Sequence, residues 1–563
     1  MTPNGTVLAG GDMALELDLR GVADQRARTY VADGSWTDET LGSILAGGLV
    51  DGAALPLVIY SNARPWRGTL ADGYDLARRV AGGLRGLGVQ PGEPVAFQLP
   101  NWVEAAATFW AVALLGAVPV PIVHFYGAKE VGFILEQSHS RVLITADRFG
   151  HLDFLANLET LRPRLDALEH VLVVGDTVPG DAAPFSSLAA ADPVDGPTTT
   201  DPSAPALIAY TSGTTADPKG VVHSHRTIGF EIRQLAAMHA MGQSRGVLVG
   251  APVGHGIGML AALLIPVWRR DPIHLIDVWD PARVLATMRA EQLTSGNGAT
   301  YFLISLLDHP DFTEEHRRLM PHIGLGGSAV PAAVGERCAA MGISTVRSFG
   351  STEHPSITGM THDEPLEKRV HTDGRPLPGV TIELRDDDGR AVPVGTPGEI
   401  WSQGPDCFVG YTDAGLTAQA FDADVARREP AVGVLDDDGY LCIVDRKKDI
   451  IIRGGENISA LEVEDQLLAL PGVAEAAVVA APDARLGEHG AAFVRMLPDQ
   501  AAPSLETMRA HLEAVGLARQ KWPEELRSVD EFPRTASGKV QKFVLRDQYL
   551  NGGLTTAPDG NNK

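Results

Sequence analysis

The chain has 563 residues, 44% hydrophobic and 21% charged, with a formal net charge of −24 at pH 7. That length exceeds a single core, so two or more domains are expected, and the acidic balance disfavours non-specific nucleic-acid or anionic-membrane binding while leaving room for a locally basic site. Cys338, Cys407 and Cys442 are too few and too scattered for a disulfide framework or a zinc site, which fits a reducing cytoplasm, and residues 1–20 lack the basic-then-apolar pattern of a signal peptide.

Residues 1–70 are weakly patterned. From Asp72 the pattern becomes an alternation of helices and strands. Residues 76–87 are amphipathic, 94–99 read as a strand, and 142–145 and 171–174 are short β-branched runs. The uncharged run 105–123 is long enough to raise the question of a membrane span. Gly116, Pro119 and Pro121 instead cut it into a helix over 102–115 and a short strand, and 246–268 is interrupted in the same way. No integral membrane span is expected. Residues 176–205 are rich in Pro, Asp, Ala and Thr and read as a surface loop leading to a buried strand at 206–210. This alternation predicts an α/β fold with mainly parallel sheets. Near Asp445 the character changes to a small α+β unit: a strand, a capping box at 459–462 opening a helix to Leu470, strands at 473–481 and 491–496, and a helix at 504–515. The expected organisation is an N-terminal domain over 1–444, a small mobile domain over 445–550, and a disordered tail over 551–563.

Four motifs carry chemistry. Between Thr211 and Gly220 stand Thr211, Ser212, Gly213, Thr214, Thr215, Lys219 and Gly220. Small residues admit backbone N–H groups to phosphate oxygens, hydroxyls add hydrogen bonds, and the lysine adds compact positive charge. The order is not that of a Walker A loop, since Lys219 precedes Gly220 and Val221 follows. The stretch Gly327-Ser328-Ala329 offers either a surface against which a flat base can lie or a plain tight turn. Phe349-Gly350-Ser351-Thr352-Glu353 joins an aromatic ring, a hydroxyl and a carboxylate, the mixture a magnesium–polyphosphate needs. Pro533-Arg534-Thr535 with Gly538-Lys539 places a lone cation on a glycine-flanked turn.

Taken in order, these segments resemble the adenylate-forming (AMP-binding) superfamily, in its acyl-CoA synthetase branch, from about Asp72 to Asp547. The resemblance implies a phosphate loop at 211–219, an adenine pocket at Gly327, Ser328 and Ala329, and stacking of adenine on Phe349 beside Gly350. It implies that Thr352 bonds the α-phosphate, that Glu353 is the metal ligand for Mg2+, and that His255 gates the carboxylate pocket. Gly298, Ala299 and Gly324 would leave room for a bulky acyl group. Arg446 would reach ribose and phosphate, Lys448 would be the hinge, Gly455 would line the path of the thiol, and Lys539 would join the two negative reactants. Lys539, Thr352, Glu353 and His255 are thus the catalytic candidates. ATP, Mg2+ and coenzyme A are the implied cofactors and co-substrates.

One element departs from the family. Where it carries Trp-x-x-Thr-Gly-Asp, this chain reads Ala426-Arg427-Arg428-Glu429-Pro430-Ala431. Ala431 occupies the place of the aspartate that grips both ribose hydroxyls, Asp436, Asp437 and Asp438 lie beyond it, and the added arginines are expected to loosen the loop. A compensated frameshift and a genuine loss of the site both fit. The resemblance implies an AMP-forming acid–CoA ligase for an apolar acid (fatty, alicyclic or steroid side-chain). The 24 residues after Lys539 leave no room for a carrier domain, so free CoA is the expected acceptor. The alternatives are an adenylate ligase serving a separate carrier protein and a catalytically impaired nucleotide- or acyl-binding relative. Partners are the small acid, ATP and CoA, with no nucleic acid; a homodimer is left open.

Overall fold

The computed structural model describes residues 5–8, 15–20, 22, 24–211, 218–239, 246–328, 330–422, 426–446, 448–454, 456–483, 485–535 and 538–551. A five-stranded parallel sheet runs in the order Ala183–Pro184, His170–Val174, Val142–Ala146, Pro94–Gln98, Val118–Ile122. Its last three strands are buried at every residue, and unbroken apolar runs are what a sheet covered on both faces requires. The apolar run at 105–123 forms the helix Val103–Leu114 and the strand Val118–Ile122. All of that helix is buried, including Glu104, whose carboxylate accepts from Arg64 Nε at 2.9 Å. No helix among the described residues is long and apolar enough to cross a membrane.

A second sheet joins Val247–Val249, Ile273–Ile276 and Pro56–Tyr60 in parallel, with Trp66–Thr69 antiparallel at its edge. The weakly patterned N-terminal region therefore supplies two strands of this sheet. It also supplies the helix Leu41–Asp51, whose Leu41, Ile44, Leu45 and Leu49 are fully buried or nearly so. A helix enclosed on most sides carries no one-sided stripe to read. Its start is a reciprocal cap, with Ser43 N donating to Thr40 Oγ1 (3.2 Å) and Thr40 N to Ser43 Oγ (2.9 Å). Two glycines let it press against neighbouring backbone: a Cβ would lie 2.4 Å from Ala113 O at Gly42 and 2.3 Å from Val267 O at Gly48. The expected surface loop at 176–205 also holds the edge strand Ala183–Pro184 and the one-turn helix Ser186–Ala189. A two-residue strand is too short to show a pattern.

Three further pairings aim chain at one cleft. The hairpin Pro205–Thr211 and Lys219–Ser224 pairs with Gly410–Tyr411. The parallel pair His322–Gly326 and Ser344–Ser348 sets Gly326 opposite Ser348, so the two motifs that follow emerge side by side. An antiparallel sheet orders Thr381–Arg385, Gly398–Gln403, Arg427–Leu435 and Leu441–Arg446.

The C-terminal unit is α+β, as expected. Its sheet contains Ile451–Arg453, Glu456–Ile458, Val473–Asp483, Gly487–Met496 and Glu525–Ser528. Ser459 caps the helix Ala460–Leu468, accepting from Glu462 N at 3.0 Å; that helix ends two residues short of Leu470. Val463, Leu467, Val494, Met508 and Leu512 form one core, and Phe493, Phe532 and Leu545 form another. The whole is a large domain of mainly parallel sheets flanked by helices, followed by a small α+β domain. Of the tail expected to be disordered, Asn551 caps the helix Lys542–Leu550 and residues 552–563 lie outside the described residues.

The buried helix makes a paired prediction. Gly48→Ala should destabilise the protein by about 1–3 kcal/mol through overpacking. Gly47→Ala, one residue away with nothing within 4 Å, should stabilise it by about 0.5–1 kcal/mol. Urea unfolding of both variants checks the contrast, and equal effects would contradict the packing described.

Candidate active site

One cavity of about 890 Å³ takes in every described residue among the site candidates. Thr211, Lys219, His255, Gly327, Ser328, Phe349, Gly350, Thr352, Glu353, Arg446, Lys448 and Lys539 all line it. Ser212, Gly213, Thr214, Thr215, Ala329 and Gly455 lie outside the described residues. Gly298 and Gly324 also line the cavity, whereas Ala299 is 1% exposed and is turned into the core.

Each piece is held by local chemistry. Gly298 and the strand at Gly324 exchange hydrogen bonds (2.9 and 3.0 Å), and Gly327 sits at φ 74°, a left-handed conformation that favours glycine. The Phe349 backbone is pinned by Thr358 Oγ1, which accepts from its N–H at 3.2 Å. His223 Nε2 donates to Thr352 O at 2.8 Å, and Phe408 N donates to Glu353 O at 2.7 Å. Burial pushes the His223 imidazole down to about 4, so it is a neutral strut. His255 caps a short helix, Nδ1 accepting from Ile257 N at 3.3 Å. Its pKa falls to about 4, through removal from water and then the Lys539 charge.

The small domain contributes Lys539 on a braced turn. Thr535 N donates to Lys539 O (2.8 Å), Gly538 N to Thr535 O (2.9 Å) and Lys539 N to Thr535 Oγ1 (3.2 Å). The turn faces the large domain, where Gly538 packs on Tyr301. Removal from water foremost, together with the Arg446 and Lys448 charges and against Glu353, lowers the Lys539 ammonium to about 7. Such a lysine is one anionic ligand away from full protonation.

The departure at 426–431 is not a loosened loop. Arg427–Leu435 is a strand whose side chains alternate: Arg427, Glu429 and Ala431 inward at 3%, 0% and 4% exposure, Arg428 and Pro430 outward. Period two is the strand rule. Pro430 sits where the register with Gly398–Gln403 shifts, a place that tolerates its missing N–H. Arg428 pairs across the strands with Glu399 at 2.8 Å. Inward, Arg427 lies 3.3 Å from Glu353 Oε1 and is ion-paired with Glu429. Glu429 Oε1 accepts from Ser402 Oγ at 2.8 Å, and Glu353 Oε1 accepts from Tyr411 O–H at 2.6 Å. Burial pushes the Glu353 carboxyl up, but Arg427 foremost, with Tyr411 and Lys219, holds it below its ordinary range. Ala431 faces Arg446 across the ladder and packs with Leu384, Ile400 and Leu441.

This donor set suits Mg2+: one ionised carboxylate, Glu353, at the cavity wall, with room for phosphate oxygens to supply the rest. Four aspartates around Ala431 already hold other partners. Asp373 holds Arg347 at 2.9 Å and accepts from Ile443 N. Asp445 caps the chain at Ser459 and Leu461. Asp436 and Asp438 hold Lys368 at 2.7 and 2.8 Å. The sequence reading names Arg427 and Glu429 only within the departing stretch and gives neither them nor Tyr411 a role in the site. The readable signal was the opposite charge of Arg427 and Glu429 two residues apart, which only a strand makes meaningful.

Comparison with known proteins gives one consistent picture. Residues 57–412 match the family described as AMP-binding enzyme, and residues 462–539 match the AMP-binding enzyme C-terminal domain. The chain is 32% identical to the medium-chain fatty-acid–CoA ligase of Escherichia coli, over 94% of this chain and 93% of that protein. It is 33% identical to a 3-[(3aS,4S,7aS)-7a-methyl-1,5-dioxo-octahydro-1H-inden-4-yl]propanoyl:CoA ligase of Rhodococcus jostii, covering 85% and 93%. Among solved structures, ATP-bound MatB from Rhodopseudomonas palustris superposes with a TM-score of 0.79 at 26% identity, covering 92% of this chain and 100% of that one.

The buried charge cluster sets a stability test. Arg427→Met leaves Glu353 and Glu429 together without their cation and should cost about 3–5 kcal/mol. Arg428→Met removes an exposed pair and should cost at most about 1 kcal/mol. Comparable losses in urea unfolding would mean that Arg427 is not buried as described.

Proposed function

The chain belongs to the AMP-binding enzyme family, and from that premise we propose an ATP-dependent, AMP-forming acid–CoA ligase acting on an apolar carboxylic acid of the fatty, alicyclic or steroid side-chain class. One observation carries the reading. Lys539, Lys219, Arg446 and Glu353 line the same cavity as Ile228, Leu235, Met238, Leu260, Ile265 and Phe302. A charged set and an apolar set on one cavity suit the activation of an acid whose carboxylate lies by the charged set.

In the first half-reaction a carboxylate oxygen attacks the α-phosphorus of ATP, the bond to pyrophosphate breaks, and a mixed acyl–phosphate anhydride forms. Two anions must meet, so Lys539 supplies the oriented positive charge between them. Glu353 would hold Mg2+, which when bound neutralises phosphate oxygens. Phe349 would stack on adenine, Gly327, Ser328 and Ala329 would flank it, and Thr352 would bond the α-phosphate. The hydroxyl-rich residues 211–215 with Lys219 would cradle the leaving pyrophosphate. His255, held neutral, can stand beside a carboxylate without competing with Lys539 for it. In the second half-reaction the thiol of CoA attacks the acyl carbon and AMP leaves. The small domain, whose boundary we set at Asp445, turns about Lys448 between the two steps and brings Gly455 to the thiol's path. Three free cysteines and the lack of a long apolar helix among the described residues fit a cytoplasmic enzyme.

A second reading rests on Ala431, which cannot accept hydrogen bonds from ribose hydroxyls: a nucleotide- or acyl-binding relative with impaired turnover. An acid panel with ATP, Mg2+ and either CoA or a carrier protein separates these. AMP and pyrophosphate released in step with acyl-CoA support the first reading, thioester on the carrier alone supports the adenylate-ligase alternative, and no pyrophosphate with any acid supports the impaired one.

Lys539→Ala should slow adenylation by about 10²–10³-fold while sparing CoA transfer from pre-formed acyl-adenylate; equal loss in both half-reactions would contradict the assigned role. The depressed Lys539 also predicts a pH profile. The kcat/KM for adenylation reports the free enzyme, and the ammonium is the active form, so kcat/KM should fall as pH rises through about 7. Lys539→Arg, charged throughout, should lose that limb. A wild-type profile that stays flat through neutrality would remove the lysine from the chemistry.

A further inference from the structure

Lys539 serves adenylation only if the small domain is held where it lies here, and the contact that holds its turn can be named. Tyr301 belongs to the large domain, on the helix Thr300–Leu307. Its ring is met from the small domain by two residues of the Lys539 turn. The guanidinium carbon of Arg534 stands 4.8 Å from the ring centroid. Gly538 lies flat against the same residue: a Cβ there would come within 3.0–3.3 Å of Tyr301 Cβ, Cδ1 and Cγ. Arg534 is itself fixed. Its Nη1 donates to Gly538 O at 2.9 Å, its other arm is ion-paired with Glu475, and Glu475 is held by Arg495 at 2.6 Å. Arg534 also bridges to Val540, closing the turn around Lys539.

We propose that Tyr301 and Arg534 form a latch, with Tyr301 as a positioning residue that seats the Lys539 turn in the adenylate-forming orientation. The inference rests on the acid–CoA ligase reading and adds to it a residue that acts through Lys539. A cation over an aromatic face is attracted by the ring, more strongly where water is thinned. Gly538 matters because a side chain there would lift the turn off the ring. The latch must break when the small domain turns for the second half-reaction, so a contact of modest strength is what alternation requires.

The test compares Tyr301→Leu, Tyr301→Phe, Arg534→Met and the Leu/Met double variant. Three measurements are made: burst-phase pyrophosphate release, CoA-dependent consumption of pre-formed acyl-adenylate, and energy transfer between dyes on Asp166→Cys and Glu506→Cys, one exposed site in each domain. The latch predicts that Tyr301→Leu slows adenylation by about 2- to 30-fold, the cation–π range at tenfold per 1.4 kcal/mol. Thiolysis should stay within about twofold, the population in the orientation described here should fall, and Tyr301→Phe should retain both. The double variant should be less impaired than the product of its singles. A parallel loss in both half-reactions, or a raised KM for the acid with unchanged energy transfer, would overturn the proposal and make Tyr301 a wall of the acyl pocket. If the wild type forms no acyl-adenylate with any acid, the functional reading fails, and the energy-transfer measurement still decides the latch: an unchanged domain population in Tyr301→Leu overturns it.

Discussion

The cleft depends on one buried guanidinium. Arg427 sits between Glu353 and Glu429 at 3% exposure, with both carboxylates buried beside it. Three charges taken out of water are costly unless their geometry is good and their remaining lone pairs are used. Here Ser402 donates to Glu429 Oε1 and Tyr411 to Glu353 Oε1, while Arg427 Nε is buried without a hydrogen-bond partner among the described residues. That arrangement fixes the rotamer of Glu353, keeps it ionised and ties the 349–353 segment to the sheet of Arg427–Leu435. The polar chain continues inward: Ser402 also meets His354 at 2.8 Å, and His354 lies 3.2 Å from Asp406. A single element thus supports both the phosphate corner and the floor beneath it.

The same strand shifts the balance of nucleotide recognition. Its inward positions are spent on Arg427 and Glu429 beside Glu353, where the phosphates are proposed to lie, and on the Ala431 methyl where the ribose would lie. Ala431 packs into an apolar cluster with Leu384, Ile400 and Leu441, and Phe349 leans on that cluster. The position therefore supports the ring proposed to stack on adenine rather than the sugar. With Asp373, Asp445, Asp436 and Asp438 engaged elsewhere, the ribose would on the proposed reading be left to Arg446, which can donate to hydroxyl oxygens but cannot accept from them. On the proposed reading, grip on ATP would accordingly be concentrated on phosphate and base.

Much of this was legible in the sequence. Strand runs at 94–99, 142–145 and 171–174 alternating with helices announce an α/β fold of mainly parallel sheets, and Gly116 with two prolines turns an apparent membrane span into a helix and a strand. Hydroxyls, a lysine and a carboxylate at fixed spacing announce a polyphosphate site, and the described members do converge on one cavity. What was hidden had physical reasons. The helix Leu41–Asp51 is buried on most sides and so shows no period. The edge strand Ala183–Pro184 is too short to have one. Arg427 and Glu429 look surface-exposed by composition, since charged residues are seldom buried unless paired; their partner Glu353 lies more than seventy residues earlier, and only the folded sheet brings them together. The roles of Lys448 and Gly455 concern a rotation, which one conformation does not display.

The central claim is that this cleft holds ATP by its phosphates and base, without a carboxylate on the ribose. The direct measurement is the ratio of kcat/KM for ATP to that for 2′,3′-dideoxy-ATP in acyl-adenylate formation. Two hydrogen bonds to a carboxylate, at about 1.5–3 kcal/mol each, would give a ratio of about 10² to 10⁴. The account predicts a ratio no higher than about a hundredfold, the share of a single hydrogen bond from the charged Arg446. A ratio above a thousandfold would contradict it, because some carboxylate would then have to be gripping the hydroxyls that Ala431 cannot reach.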